Sequence, residues 1–334
     1  MKDFQQLTLA ENMFSQRFKK SRVNTTLDKI RDLVAWDLLE RIISVIDKTK
    51  EGKGGRPRIP LQWMIRMLFL QHLYNLSDPE FEDQLIDRKS FAEFVGIHQG
   101  VEIPDFSSIW RFKEALIKHD LLDKIFEVIN EQLQSRGVFV KQGTAVDATI
   151  IQSTTRPLSD QKRQQLQERP STQIDTDATS TSKGNKKYFG YKGHIGVDVG
   201  SGLIRKRTFT TASPHDSTEF ENVLSGDEQA IWGDSAYVNK HLKRAARALG
   251  IYFGILDRGA RNHPLSSRQK KRNKKKSAVR AVVEHPFAHI KTKQHWMRAT
   301  AKTLLRNALR FTINCINYNL LRADYLLRSK NCLG

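Results

Sequence analysis

Three acidic residues sit in contexts that suit chemistry: Asp147 in the run GTAVDATI, Asp234 in AIWGDSAY and Glu284 in RAVVEHPFAHIK. The chain that carries them has a formal net charge of +20. A protein so basic attracts polyanions. A carboxylate beside a bound phosphate is repelled unless a divalent cation reverses the local charge. Two such cations held between carboxylates activate a water or a 3′-hydroxyl and stabilise the leaving oxygen of a phosphodiester. These acids on this chain therefore point to metal-dependent cutting or joining of DNA.

Each acid has a plainer alternative. Asp147 lies in an apolar, β-rich run where aspartate is disfavoured, although an exposed face of an edge strand would also accept it. Asp234 follows an apolar strand and a glycine, at the kind of strand end where ligands gather in α/β sheets. A helix cap or turn would serve it as well. Arg280, Glu284 and Lys291 fall on one helical face at about 100° per residue, beside the apolar Val282, Val283, Phe287 and Ile290. The bland reading of that trio is a surface ion-pair ladder. Pro286 disfavours a helical His285, so the helix either starts near Val283 or kinks there.

The elements that must position these residues fall into two textures. Residues 28–47 repeat apolar residues at helical spacing, and a basic, glycine-containing linker, KEGKGGRPR, follows. Pro60 suits the first turn of a second helix, LQWMIRMLFLQHLY, which is apolar almost all round and so expected to be buried. Ser77 with Glu80, and Ser90 with Glu93, read as capping boxes. Asp105 or Ser107 could cap a further helix, and an amphipathic helix spans roughly 120–135. Near Gly137 the pattern becomes β-rich: GTAVDATIIQS, then YFGYKGHIGVDVGSGLIRKRTFTTA, which folds as a hairpin about Gly200-Ser201-Gly202. A helix near 217–225, a strand AIWGD, a helix at 239–248 and a strand IYFGIL come next, and TLLRNALRFTINCINYNLLRADYLL is expected to pack on the sheet. This order resembles an RNase H-like sheet. The expected fold is α/β: an all-α DNA-binding domain over 1–136, then an RNase H-like core over 137–334, a mixed sheet flanked by helices. Residues 154–187 are polar with almost no apolar content and read as a disordered insertion.

Composition narrows the classes. Lys plus Arg number 56 against 36 Asp plus Glu, and hydrophobic residues make up 39%, enough for a substantial core. No run of about 18 apolar residues exists, so no membrane span is expected, and MKDFQQLTLAENMF has no secretory core. Cys315 and Cys332 form no CxxC pair, which excludes a zinc ribbon and fits a reducing cytoplasm. The run 268–276, RQKKRNKKK, holds seven basic residues in nine. A solvated loop is the usual meaning of such a run. Its place just before Glu284 favours DNA-backbone contact by Lys270, Lys271, Arg272, Lys274, Lys275 and Lys276. Arg56 and Arg58 of the linker are further DNA-contact candidates, Gly55-Arg56-Pro57 being similar to a minor-groove Arg-Pro hook. Arg111 and Lys113, with Trp110, could lie on a recognition helix, or Trp110 could be core.

At this point the residues resemble a family. Arg280-x3-Glu284-x6-Lys291 matches the signature of DDE-class insertion-sequence transposases in the IS-four-like superfamily. The signature normally begins with Tyr where this chain has Ser277. That departure and the short gap from Asp234 to Glu284 are similar to the IS-five group, as are the blocks VDATIIQS, YFGYKGHIGVDVGSGLI, PHDS and GDSAY. RPRIPLQWMIRMLFLQHLYNLSD through DFSSIWRFKEAL resembles that group's helical domain. The resemblance implies that Asp147, Asp234 and Glu284 are metal ligands for two Mg²⁺ ions, with Mn²⁺ as a substitute. It implies that Arg280 and Lys291 lie near the scissile end. The implied activity is binding of terminal inverted repeats, hydrolysis at the element ends and transfer of the 3′-hydroxyl ends into target double-stranded DNA. A homodimer on paired ends, in a bacterial cytoplasm on nucleoid DNA, is the implied setting. Tyr191, Lys192, His194, Asp198, His215 and Asp216 lie in family blocks without an assigned chemistry. The rival is a catalytically inactive, transposase-derived DNA-binding protein or regulator, which would be expected to lose one of the three acids.

Overall fold

The computed structural model describes residues 22–48, 58–98, 101–169, 171, 173–260 and 263–331. Its first part is helical. The single helix expected over 28–47 is three pieces: α1 (Arg22–Leu33), α2 (Trp36–Ile43) and α3 (Val45–Lys48). The break after Leu33 is stabilised from outside the segment. The Ala35 N–H donates to Gln132 Oε1 at 2.8 Å, and the Trp36 indole N–H donates back to the Arg31 carbonyl at 2.9 Å. Trp36 thereby turns into the core. Helix α4 (Leu61–Leu73) is buried on nearly every side, as its continuous apolarity requires.

Helix α5 (Asp78–Asp87) carries the expected capping box of Ser77 and Glu80. The second expected box does not form. Helix α6 (Lys89–Val95) begins after Arg88 with no side-chain cap. Burial of Phe91 and Phe94 sets its start, and Glu93 pairs with Lys89 at 3.6 Å instead of reaching back to Ser90. Asp105 caps α7 (Phe106–Lys118) by accepting from the Ser108 N–H, and α8 (Leu122–Ser135) completes the helical part.

The β-rich part begins with β1 (Thr144–Ser153), whose β-branched residues favour an extended chain. Strands β2 (Thr179–Lys183), β3 (Lys186–Asp198), β4 (Ile204–Thr211), β5 (Ala230–Gly233) and β6 (Tyr252–Ile255) follow. Strand β3 runs antiparallel between β1 and β4, while β5 joins β1 in parallel and β6 joins β5 in parallel. The path β4-β3-β1-β5-β6 is the strand order of an RNase H-like sheet. Helices α10 (Lys240–Ala248), α11 (Ser267–Arg280), α12 (Glu284–Thr292) and α13 (Leu304–Asn331) flank it, and the short β7 (Arg298–Ala299) pairs with the end of β1.

Two segments differ from expectation for physical reasons. The helix expected near 217–225 is a pair of 3₁₀ turns, Asp216–Glu219 and Glu221–Val223. They press on β3 where Gly196 lies, since a Cβ there would sit 2.0 Å from the Val223 carbonyl oxygen. Residues 154–187, expected to be disordered, contain α9 (Asp160–Glu168) and β2. Helix α9 buries none of its residues. The anchor of this segment is the buried Asp175, which accepts from the Tyr191 hydroxyl at 2.7 Å, from Ser153 Oγ at 3.0 Å and from two backbone N–H groups.

Helix α13 joins the two textures. Its Asn317 donates to the Phe69 carbonyl on α4. Its Asn319 bonds both the N–H and the carbonyl of Ile204 on β4, and also Asn130 on α8. Each such buried bond contributes about 1 kcal/mol net, and losing one partner costs about 1–3 kcal/mol. Gly193 on β3 lets α13 approach, because a Cβ there would meet the Phe311 ring at 2.6 Å. One hydrophobic core consequently runs from Leu27 through the sheet to Ala323. Among the described residues no helix is long and apolar enough to cross a membrane.

Candidate active site

Asp147 and Asp234 come together through strand register. Parallel pairing of β1 with β5 aligns Val146 with Gly233, so the next residues along, Asp147 and Asp234, are neighbours. Parallel strands lie about 4.8 Å apart and registered side chains share a face. Asp234 keeps an extended backbone, φ −70° and ψ 166°, and caps the following 3₁₀ turn. Both acids line a cleft of about 730 Å³ where β5 ends and the edge of β1 is exposed. Asp147 Oδ1 accepts the Ala148 N–H at 2.8 Å. Burial raises the Asp147 pKa above the ordinary carboxylate value; Arg280 opposes that shift, and the negative charge of Asp234 adds to it.

Arg280 links the third acid to this pair. It is the last residue of α11, and a 3₁₀ turn, Ala281–Val283, separates it from α12. Pro286 falls in the first turn of α12, where a missing N–H is tolerated, so the run kinks before Glu284. Across the kink the guanidinium still bridges two acids: Nη1 lies 2.7 Å from Asp147 Oδ2 and Nη2 lies 3.5 Å from Glu284 Oε1. Glu284 itself is exposed and does not line the cleft. Lys291, on α12, does line it, and burial beside Lys183 lowers its pKa. Among the described residues, no group of three or more His, Cys, Asp or Glu side chains is placed to hold a metal ion.

The donor set fits a hard divalent cation. Two adjacent carboxylates, one largely desolvated, form an all-oxygen site with one guanidinium in place of a counter-charge. Glu284, held on Arg280, is not part of that pair.

Several cleft residues were not foreseen. Lys183 stands at the turn of the β2–β3 hairpin, where Gly184 has φ +61°, and its charge acts on both Asp147 and Lys291. Arg258 and Met297 also line the cleft, as does Tyr188. The Tyr237 hydroxyl is buried without a partner, and burial raises its pKa, reinforced by Asp147, Asp216 and Asp234. No spacing in the sequence marks these groups, because separate elements bring them in.

The remaining candidates resolve individually. Lys192 donates to the Pro214 carbonyl at 2.6 Å and pairs with Asp216 at 2.9 Å, on the cleft wall. His215 caps the 3₁₀ turn after it. His194 bonds Thr210 Oγ1 through Nε2, and its other ring nitrogen is buried without a partner. Asp198 is structural: its carboxylate accepts from the N–H groups of Val140, Lys141 and Ser201 at the hairpin turn. Tyr191 stacks on Phe209 in the core.

The basic run is a helix rather than a loop. In α11, Lys270, Lys271, Lys274 and Lys275 are exposed, and Arg272 is exposed but pairs with Asp257. Lys276 departs from the expected role: it is buried, with Nζ 2.6 Å from the Ile255 carbonyl, and holds the helix to the end of β6. Lys113 departs likewise, since it is mostly buried against Asp78 in an ion pair that removes its charge from the surface. Trp110 is 48% exposed and not core. Arg111 is exposed and bonds Ser107 Oγ at 2.7 Å, and Arg58 pairs with Asp47. Arg56 and the rest of the Gly-Arg-Pro motif lie outside the described residues.

A family model described as a transposase domain (DUF772) matches residues 15–115. The synaptic complex of a piggyBac transposase with hairpin DNA is similar over 92% of this chain and 75% of that one, at 12% identity and a TM-score of 0.45. The family model of the transposase DDE domain matches residues 139–320, more than half of the chain, with every strand and with Asp147, Asp234 and Glu284, and the chain belongs to that family of DDE-class insertion-sequence transposases.

Proposed function

We propose that this transposase binds the terminal inverted repeats of its element, hydrolyses the DNA at the ends and joins the 3′-hydroxyl ends to target DNA. The observation that supports this best is the register that sets Asp147 beside Asp234 in one cleft, with Glu284 joined to Asp147 through Arg280. Asp147, Asp234 and Glu284 would hold divalent cations, two Mg²⁺ with Mn²⁺ able to substitute. When bound, these ions lower the pKa of the attacking water or hydroxyl and stabilise the departing oxygen. Arg280 and Lys291 would then hold the phosphates on either side of the scissile bond. Transfer of Arg280 from the acids to a phosphate would free both carboxylates as the substrate arrives. Lys183, at the hairpin turn and in the same cleft, would add a third cation for the phosphates.

The exposed cations of α11 would track the DNA backbone, giving affinity without sequence preference. Sequence reading is assigned to the helical part, residues 1–136, through Arg56, Arg58 and Arg111. A homodimer on paired ends is the proposed assembly, because two ends must be cut and joined together. The proposed lineage is the IS-five group, and the proposed setting is nucleoid DNA in the bacterial cytoplasm.

The test is an incubation of the purified chain with labelled element ends, a target plasmid and Mg²⁺. Cleaved ends and strand-transfer products are expected, and both should vanish with EDTA. Specific binding of the ends with no nicking in Mg²⁺ or Mn²⁺ would establish the inactive DNA-binding protein instead.

A further inference from the structure

A second charged cavity lies away from the cleft, between α4, α7 and the start of α13, with a volume of about 320 Å³. Lys113, Lys302, Arg306 and Arg310 all line it. Two of these cations are neutralised: Lys113 by Asp78, and Arg306 by a two-pronged pair with Glu114 at 2.7 and 3.1 Å. The other two have no carboxylate partner among the described residues. Arg310 is the more telling. Its guanidinium bonds only neutral oxygens, Thr300 Oγ1 at 3.2 Å and Asn75 Oδ1, and its Nε is buried with no partner.

Arg310 is half-buried, its guanidinium 5.6 Å from the centre of the Trp296 ring; a partly desolvated cation without a counter-ion is costly, and an anion in the cavity relieves that cost. The local field supports the same conclusion. Burial alone pushes Arg310 down to about 10, and no acid acts against it. The buried His72 is held neutral by burial and by the charges of Lys113 and Arg310. Trp110, in the lining, is exposed, with the Arg306 guanidinium 6.0 Å from its ring.

The strap 297–302 ties this cavity to the cleft. Met297 lines the cleft, Arg298 is exposed between, and Thr300 and Lys302 line the cavity. Only Arg298–Ala299 of the strap is strand, and its five residue steps reach at most about 17 Å, a few nucleotides of DNA. We propose that the cavity is a phosphate-binding site, built on Arg310 and Lys302, which holds a backbone phosphate of the DNA strand that leaves the cleft. The DNA source rests on the proposed function; the phosphate site does not.

The full-length chain is titrated with inorganic phosphate by calorimetry, and its binding to an element-end duplex is followed by fluorescence anisotropy over a range of KCl. Wild type should bind one phosphate at this site. Arg310→Met should weaken phosphate binding about tenfold or more, the usual effect of losing a charged hydrogen-bond donor. Lys302→Gln should weaken it less, and each variant should flatten the slope of log K against log salt by up to about 0.9. Thermal melts confirm folding; Lys302 is only partly buried, so its variant carries the test if Arg310→Met unfolds. Weaker phosphate binding with an unchanged DNA slope keeps the site, assigns it to free phosphate and overturns the DNA source. No saturable phosphate binding by wild type, or equal binding by folded variants, overturns the site. Cleavage enters neither reading, so an inactive protein leaves the result intact.

Discussion

The cleft and helix α11 meet at Arg280, yet they hold their charges in opposite ways. In the cleft, Asp147 is largely desolvated, bonded to a backbone N–H and paired with a guanidinium, and Lys291 is partly buried. Along α11 only Lys276 is buried, and Lys270, Lys271, Lys274 and Lys275 project into solvent. Charges that would do chemistry are fixed by burial and partners. Charges that would supply affinity are left free, since attraction to a polyanion needs proximity and not fixed geometry. Single changes in the cleft should therefore act as all-or-none, and single changes on α11 as small increments.

The largest effect is expected from Asp147→Ala, Asp234→Ala and Glu284→Ala. Each should lower end cleavage by more than about 100-fold, because even residues that only orient a metal ligand cost up to about that much. DNA affinity should be unchanged or higher, since a negative charge is removed. Paired measurements of nicking and anisotropy decide this; a variant that loses binding in step with cleavage breaks the contrast between the regions.

Arg280→Gln sharpens it. The guanidinium and a cation compete for the same carboxylates, so Mn²⁺ affinity of the DNA-free protein should rise about tenfold, while cleavage falls. Electron paramagnetic resonance of free Mn²⁺ reads the affinity directly. A drop in affinity would mean that Arg280 orients Asp147 for the metal instead of blocking it.

Within α11 the same distinction separates neighbours. Replacing Lys270, Lys271, Lys274 and Lys275 together with Gln should weaken binding to all DNA alike and flatten the salt slope by up to about 0.9 per lost contact. Lys276→Met should leave that slope alone and destabilise the fold by about 1–3 kcal/mol, because the Ile255 carbonyl loses its donor. A slope that changes with Lys276→Met would put its ammonium on DNA.

The last effect is confined to acid pH and to the interior of β3. Burial lowers the His194 pKa from 6.5 to about 4, so the folded chain holds the ring neutral. Protonation then favours the unfolded chain, and stability should fall as pH drops from about 6.5 toward about 4, by at most a few kcal/mol. Urea melts at pH 7 and pH 4.5 should show a smaller difference for His194→Gln than for wild type.

Much of this was legible in the chain itself. An aspartate inside the apolar run GTAVDATI and another just after AIWG are conspicuous because apolar strand contexts disfavour them, and both reach the cleft. The kink at Pro286 followed from backbone sterics. Asp175, Lys183, Lys113 and Lys276 were not legible. Their roles depend on what lies against them: Tyr191 on Asp175, the hairpin turn under Lys183, Asp78 on Lys113 and the Ile255 carbonyl on Lys276.

Sequence by itself determined the helical and β-rich halves and the family, because periodicity, apolar runs and side-chain type are local properties. Tertiary structure alone decided that Asp147 and Asp234 are neighbours, that Arg280 reaches Asp147, and which lysines remain free. Register, burial and ion pairing each depend on partners far away along the chain, and no local pattern encodes them.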